Sequence, residues 1–186
     1  MRPLFLLGLA LALAAPLAAQ DRSRSPHGEL ALECETCHRS DGWTPAKISR
    51  VFDHPRHLVF RAWTDGEQLK QWCCPKGFTI PFSEGDIQVG GRFRSCMRSP
   101  DGTDHWLGGA YLEIVENETL VFTHAWQDVD GTSDHETVVT ISFTDAGPGR
   151  TRLTLHQAYF LTRSSRDGHE GGWKETLDNL AEHLAP

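Results

Sequence analysis

Cys34-Glu35-Thr36-Cys37-His38 sets two thiols three positions apart with an imidazole directly after the second. Two thiols at that spacing can form thioethers to the vinyl groups of a haem, and His38 can supply an axial nitrogen. That is the chemistry of c-type haem attachment, with one haem expected. The same thiols could instead close a redox disulfide, or hold zinc with His38 and His54. Cys73 and Cys74 are adjacent, and adjacent cysteines bridge only through a strained ring. They read as two small buried or half-buried thiols, with a bridge from either one to Cys96 left open in an oxidising compartment.

A second group of residues could bind rather than react. Phe122, His124 and Trp126 alternate along one run and would share a strand face, so His124 could give a ligand a polar handle. The alternative is a buried histidine satisfied by a backbone group. Trp63, Trp72, Trp106 and Trp173 are bulky enough to fill space between layers as core and cavity wall, and Phe93 and Tyr159 are expected beside them. His169-Glu170-Gly171-Gly172 lacks the second histidine at helical spacing that a zinc-protease motif needs. The chain has no Ser/His/Asp order with an elbow motif, no phosphate-binding glycine loop and no isolated carboxylate pair. Nothing in it demands an enzyme.

Composition bounds the setting. The chain has 186 residues with 18 Lys+Arg against 25 Asp+Glu, a formal charge of -7. An acidic balance argues against a nucleic-acid groove or an anionic-membrane patch. Met1-Arg2-Pro3, the apolar run Leu4 to Ala15 and Pro16-Leu17-Ala18-Ala19-Gln20 together describe a secretory signal peptide, cut between Ala18 and Asp21. An uncut anchor helix is the other reading, but the run is shorter than the roughly 18 residues that span a bilayer. No membrane span is expected after cleavage. Residues 1–20 are therefore expected as a leader, 21–46 as an irregular segment with the C-x-x-C-H motif, and 47–186 as one domain. The mature protein is expected in the periplasm or outside the cell.

The positions between these residues show what must hold them. Lys47 to Asp53 alternates as a strand. Pro55 suits a first helical turn, after which Leu58, Val59, Ala62 and Trp63 share a face. Asp65 with Gln68 is a capping-box pattern for a second short helix carrying Leu69 and Trp72. After Pro75 the period becomes two. In Gly91 to Arg98, Phe93, Ser95 and Met97 share one face while Arg92, Arg94 and Arg98 share the other. Further strands follow at Trp106 to Val115, Leu120 to Trp126, Val139 to Phe143 and Leu153 to Tyr159, with turn signals at Ser99-Pro100-Asp101-Gly102 and Gly147-Pro148-Gly149. Trp173, Leu177, Leu180 and Leu184 then step along one face of a closing helix. The order is a strand, two short helices, about six antiparallel strands and a long helix, an α+β layout in which the last helix covers a curved sheet. Such a helix leaves room beneath it for a small ligand.

Several strings carry a family resemblance. Arg50-Val-Phe-Asp-His-Pro-Arg-His-Leu-Val-Phe-Arg-Ala-Trp-Thr-Asp65, Gln71-Trp72, Pro75-Lys-Gly-Phe78, Gly90-Gly-Arg-Phe93 and Pro100-Asp-Gly102 occur in order. Leu120-Val-Phe-Thr-His124, Gly149-Arg-Thr-Arg-Leu-Thr154 and Arg166-Asp-Gly-His-Glu-Gly-Gly-Trp173 complete the series. From Lys47 onward the chain resembles the heat-shock-protein-90 ATPase activator homologue family of the START-like (SRPBCC) helix-grip superfamily. The resemblance implies a curved antiparallel sheet wrapped on a long C-terminal helix and a cavity for a small hydrophobic molecule, with no agreed catalytic residues to carry over. The family name also implies a cytosolic co-chaperone role, which an exported chain could not perform.

The N-terminal string, continued through Trp43 to Phe52-Asp53-His54, resembles multihaem c-type cytochromes, which implies His54 as a second axial ligand. Two origins remain open on the sequence. One is a fusion that brings His54 near the haem, with the helix-grip domain as scaffold for a redox or sensor module. The other is a cytochrome start joined to an unrelated cytoplasmic domain.

Overall fold

The computed structural model describes residues 45–185. The expected leader, Cys34, Cys37 and His38 lie outside the described residues. The elements are β1 (Ala46–Phe52), α1 (Arg56–Thr64), α2 (Gly66–Trp72), β2 (Thr79–Gly85), β3 (Arg92–Arg98), β4 (Asp104–Val115), β5 (Thr119–Gln127), β6 (Thr137–Asp145), β7 (Thr151–Ala158) and α3 (Arg163–Leu184). Seven strands form one antiparallel sheet in the order β1-β7-β6-β5-β4-β3-β2, so the first strand pairs with the last. This is the α+β helix-grip layout.

Local chemistry explains the boundaries. Pro55 starts α1 because its fixed φ suits a helix entry and its missing N–H is not needed there. At α2 the Asp65 Oδ1 accepts the backbone N–H groups of Glu67 (3.0 Å) and Gln68 (3.3 Å). The Gln68 amide reaches back to Asp65 Oδ2 at 3.1 Å, so the expected box closes on the carboxylate rather than on the backbone. Thr162 caps α3 by accepting the Ser165 N–H at 3.0 Å.

Two elements differ from the sequence expectation. The closing helix starts at Arg163, well before Trp173, and runs through Gly168, Gly171 and Gly172 despite their poor helix propensity. The last strand stops at Ala158, because Tyr159 turns to a left-handed φ of 70°.

The core lies between the sheet and the helices. Leu120, Ile141, Phe143, Leu153 and Leu155 from β5, β6 and β7 meet Val59 and Trp72 from the short helices and Leu177 and Leu180 from α3. An ion pair from Arg50 on β1 to Asp178 on α3 ties the helix to the sheet edge beside it. The buried anchors of α3, Thr176, Leu177 and Leu180, all sit in its C-terminal half. Its N-terminal half is therefore free to roof something other than core.

Candidate functional site

Between the N-terminal half of α3, α2 and the inner face of β2 to β5 is a cavity of about 800 Å³. That is the size of pockets that enclose drug-sized molecules, roughly 300–1,000 Å³. Strand alternation builds one wall: Phe93, Ser95 and Met97 of β3 point into it, as do His105, Leu107 and Tyr111 of β4. Phe122, His124 and Trp126 of β5 continue that wall, and Trp63 and Trp173 close it from the helices. Gly109 lets β4 and β5 come together beneath, since a Cβ there would stand 1.9 Å from the Thr123 carbonyl oxygen.

Three expected wall residues lie elsewhere. Trp106 falls between His105 and Leu107 and so faces outward, where Arg94 stacks over its ring at 4.2 Å. Trp72 is fully buried in the core, edge-on to Trp63 with centroids 4.7 Å apart, its indole N–H donating to the Ala62 carbonyl. Tyr159 lies beyond the end of β7 and does not line the cavity; its carbonyl is paired with the His135 ring. His54 sits half-buried at the bend after β1, where its carbonyl accepts the Thr151 hydroxyl at 2.7 Å. It too is outside the cavity lining.

The polar groups at the α3 end form a defined set. His169, which motif reading discards, stands beside His124 with ring centroids 5.4 Å apart. Its Nδ1 meets the Ser165 carbonyl at 2.8 Å and its Nε2 accepts the Trp126 indole N–H at 3.1 Å. Those partners fix a neutral ring protonated on Nδ1. The Trp173 indole donates to Gln157 Oε1 (2.6 Å), the Gln157 amide to Thr137 Oγ1 (2.8 Å), and that hydroxyl to the His124 carbonyl (2.8 Å). His124 itself is 7% exposed and its Nδ1 has no partner. Burial, with the neighbouring His169 second, pulls its pKa down to about 3, so the ring is neutral. Burial also lowers His169. One signal could have found His169: it precedes Trp173 by four residues, one turn back on the face that carries Leu177.

None of the three cysteines among the described residues is in a disulfide. Cys73, Cys74 and Cys96 are free, and the bridge left open on the sequence is not formed among the described residues. Cys73 faces the cavity, but burial pushes its thiol up to about 12, which leaves it protonated and a poor nucleophile. No group of three or more His, Cys, Asp or Glu that could hold a metal occurs among the described residues.

Comparison with known proteins agrees with this architecture. The structure of an AHSA1 protein from Silicibacter pomeroyi is 25% identical, with a TM-score of 0.68 over 76% of this chain and 97% of that one. A Nitrosomonas europaea protein is 27% identical (TM-score 0.65, covering 77% of this chain and 96% of that one). One from Chromobacterium violaceum is 26% identical (TM-score 0.67, covering 76% and 97%). No curated protein matches the chain. Residues 53–185 match the family model described as Activator of Hsp90 ATPase homolog 1-like protein, and the chain belongs to that family.

Proposed function

We propose that this protein is a non-enzymatic binding domain that holds a small hydrophobic molecule between its sheet and α3. The observation that carries the reading is the cavity of about 800 Å³, walled by aromatic side chains and roofed by the half of α3 that has no buried anchor. Apolar surface taken from water there stabilises a bound molecule by roughly 25 cal/mol per Å² before the losses of immobilisation. The full chain is expected to bind the neutral dye N-phenyl-1-naphthylamine with a gain in dye fluorescence. Leu107→Trp, which fills the cavity from β4, is expected to weaken that binding by roughly tenfold, through overpacking and lost volume. No fluorescence gain in the unaltered protein would sink the reading.

A second reading rests on Cys34, Cys37 and His38. It takes the protein as an exported carrier of one c-type haem, held by two thioethers and the His38 imidazole, with His54 as candidate second axial ligand. Expressed for export with the c-type maturation machinery, the full chain is expected to gain the mass of one haem and a pyridine haemochrome band. An unmodified mass removes this reading and leaves the first untouched.

A further inference from the structure

The half of α3 that roofs the cavity is poorly built as a helix. Residues 163–172 read Arg-Ser-Ser-Arg-Asp-Gly-His-Glu-Gly-Gly. Glycine weakens a helix interior because it gives up the most backbone freedom, and serine and aspartate compete for the backbone's hydrogen bonds. Nothing steric demands these glycines. A Cβ at Gly168 or Gly171 would meet no atom within 4 Å, and one at Gly172 would stand 3.8 Å from Pro75, an ordinary contact. The helix carries a weakness that its packing does not require.

The two sides of the Gly171-Gly172 pair are held very differently. On the C-terminal side the Trp173 indole donates to Gln157 at 2.6 Å, Thr176, Leu177 and Leu180 are buried, and Asp178 pairs with Arg50. On the N-terminal side no residue from 163 to 171 is buried, and Ser164, Ser165, Gly168 and His169 line the cavity. His169 ties this half to the sheet by accepting the Trp126 indole N–H at 3.1 Å, with the Phe160 ring 5.1 Å from its own. An exposed ion pair, Lys174 with Glu170 at 2.6 Å, spans the two glycines, and such surface pairs add little. Helices bend where small residues sit together, and segments with few buried apolar contacts open at low free energy.

We propose that residues 163–171 form a lid that swings about Gly171-Gly172 to admit the ligand, with the Trp126–His169 hydrogen bond as its latch. The proposal rests on the binding reading above. Hydrogen exchange of the full chain at pH 7.5, without ligand, tests the lid. The amides of residues 167–171 are expected to exchange on the order of a hundredfold faster than those of residues 176–180, with the step at the glycine pair. Ordinary fraying fades within the first turn, so even protection beyond residue 166 overturns the proposal. Gly171→Ala adds a methyl in open space, outside the cavity lining, and is expected to slow exchange of the lid roughly fivefold. Trp126→Phe removes the latch hydrogen bond and is expected to speed that exchange roughly fivefold; unchanged exchange overturns the latch. Stopped-flow mixing with N-phenyl-1-naphthylamine tests the way in. Gly171→Ala is expected to slow association and dissociation of the dye by the same factor, which leaves its affinity unaltered. Rates equal to those of the unaltered chain overturn the lid as the entry route. Absence of dye binding counts against the binding reading, while the exchange profile still decides whether the lid opens.

Discussion

Trp72→Ala is expected to lower the unfolding free energy by about 3–5 kcal/mol, while Trp126→Ala lowers it by about 1 kcal/mol or less. Both are tryptophans expected on the sequence to wall the same cavity, and the structure separates them. Trp72 has no exposed surface, lies edge-on to Trp63 and donates its indole N–H to Ala62. Its removal leaves a void beneath two helices and orphans a carbonyl, and the surroundings can collapse only partly. Trp126 is 46% exposed at the cavity mouth and is held by one hydrogen bond to His169. Truncating it opens a wall that already borders empty space. Urea denaturation of the two variants checks the ranking. Equal losses would mean that Trp126 packs as core and that the mouth is misplaced.

The same contrast shows how far the sequence carries. Strand periodicity and the leucine spacing of α3 were legible because each states which side faces the core, and the order of elements follows from them. Trp106 was expected in the wall for its bulk, and bulk does not say which face of a strand a residue takes; Ile114, further along the same strand, packs on the core. A register shift between Tyr111 and Glu113 inserts one residue, so Tyr111, Leu107 and His105 face inward and Trp106 faces out. Tyr159 failed for a related reason, since alternation from Leu153 and Gln157 continues only while the strand does. β2 could not be located because Pro81 interrupts its pattern; it is an edge strand with a shifted register between Thr79 and Phe82. For the site, Trp63, Phe93, Phe122, His124, Trp126 and Trp173 were legible as wall residues. His169 was not, because motif reading asks what a residue resembles and not which turn of a helix it shares.

Between pH 7.5 and pH 4.5 the protein is expected to lose on the order of 2–3 kcal/mol of stability through His124. The sign follows from the direction of the shift. The His124 pKa falls from 6.5 to about 3 on folding, mainly through burial, so the unfolded chain takes up a proton that the folded ring refuses. Stability from a depressed histidine is fully present above about pH 6.5 and is lost as pH falls toward 3. His169 is lowered too and acts in the same direction. The carboxylates Asp65, Asp101, Asp104, Asp130 and Asp178, exposed or half-buried, are all held below 3.8, so their own contribution starts at lower pH. Urea denaturation of the unaltered protein across this range should therefore show a slope that His124→Phe flattens. An unaltered protein equally stable at both ends would mean that the ring is hydrated and not sealed among Trp126, His169 and Trp173. The local consequence is at the mouth. A proton on His169 turns its Nε2 from acceptor to donor, and the Trp126 indole N–H then faces another N–H. Acid thus acts twice on the same end of the cavity, weakening the fold through His124 and parting the Trp126–His169 contact that bounds the opening.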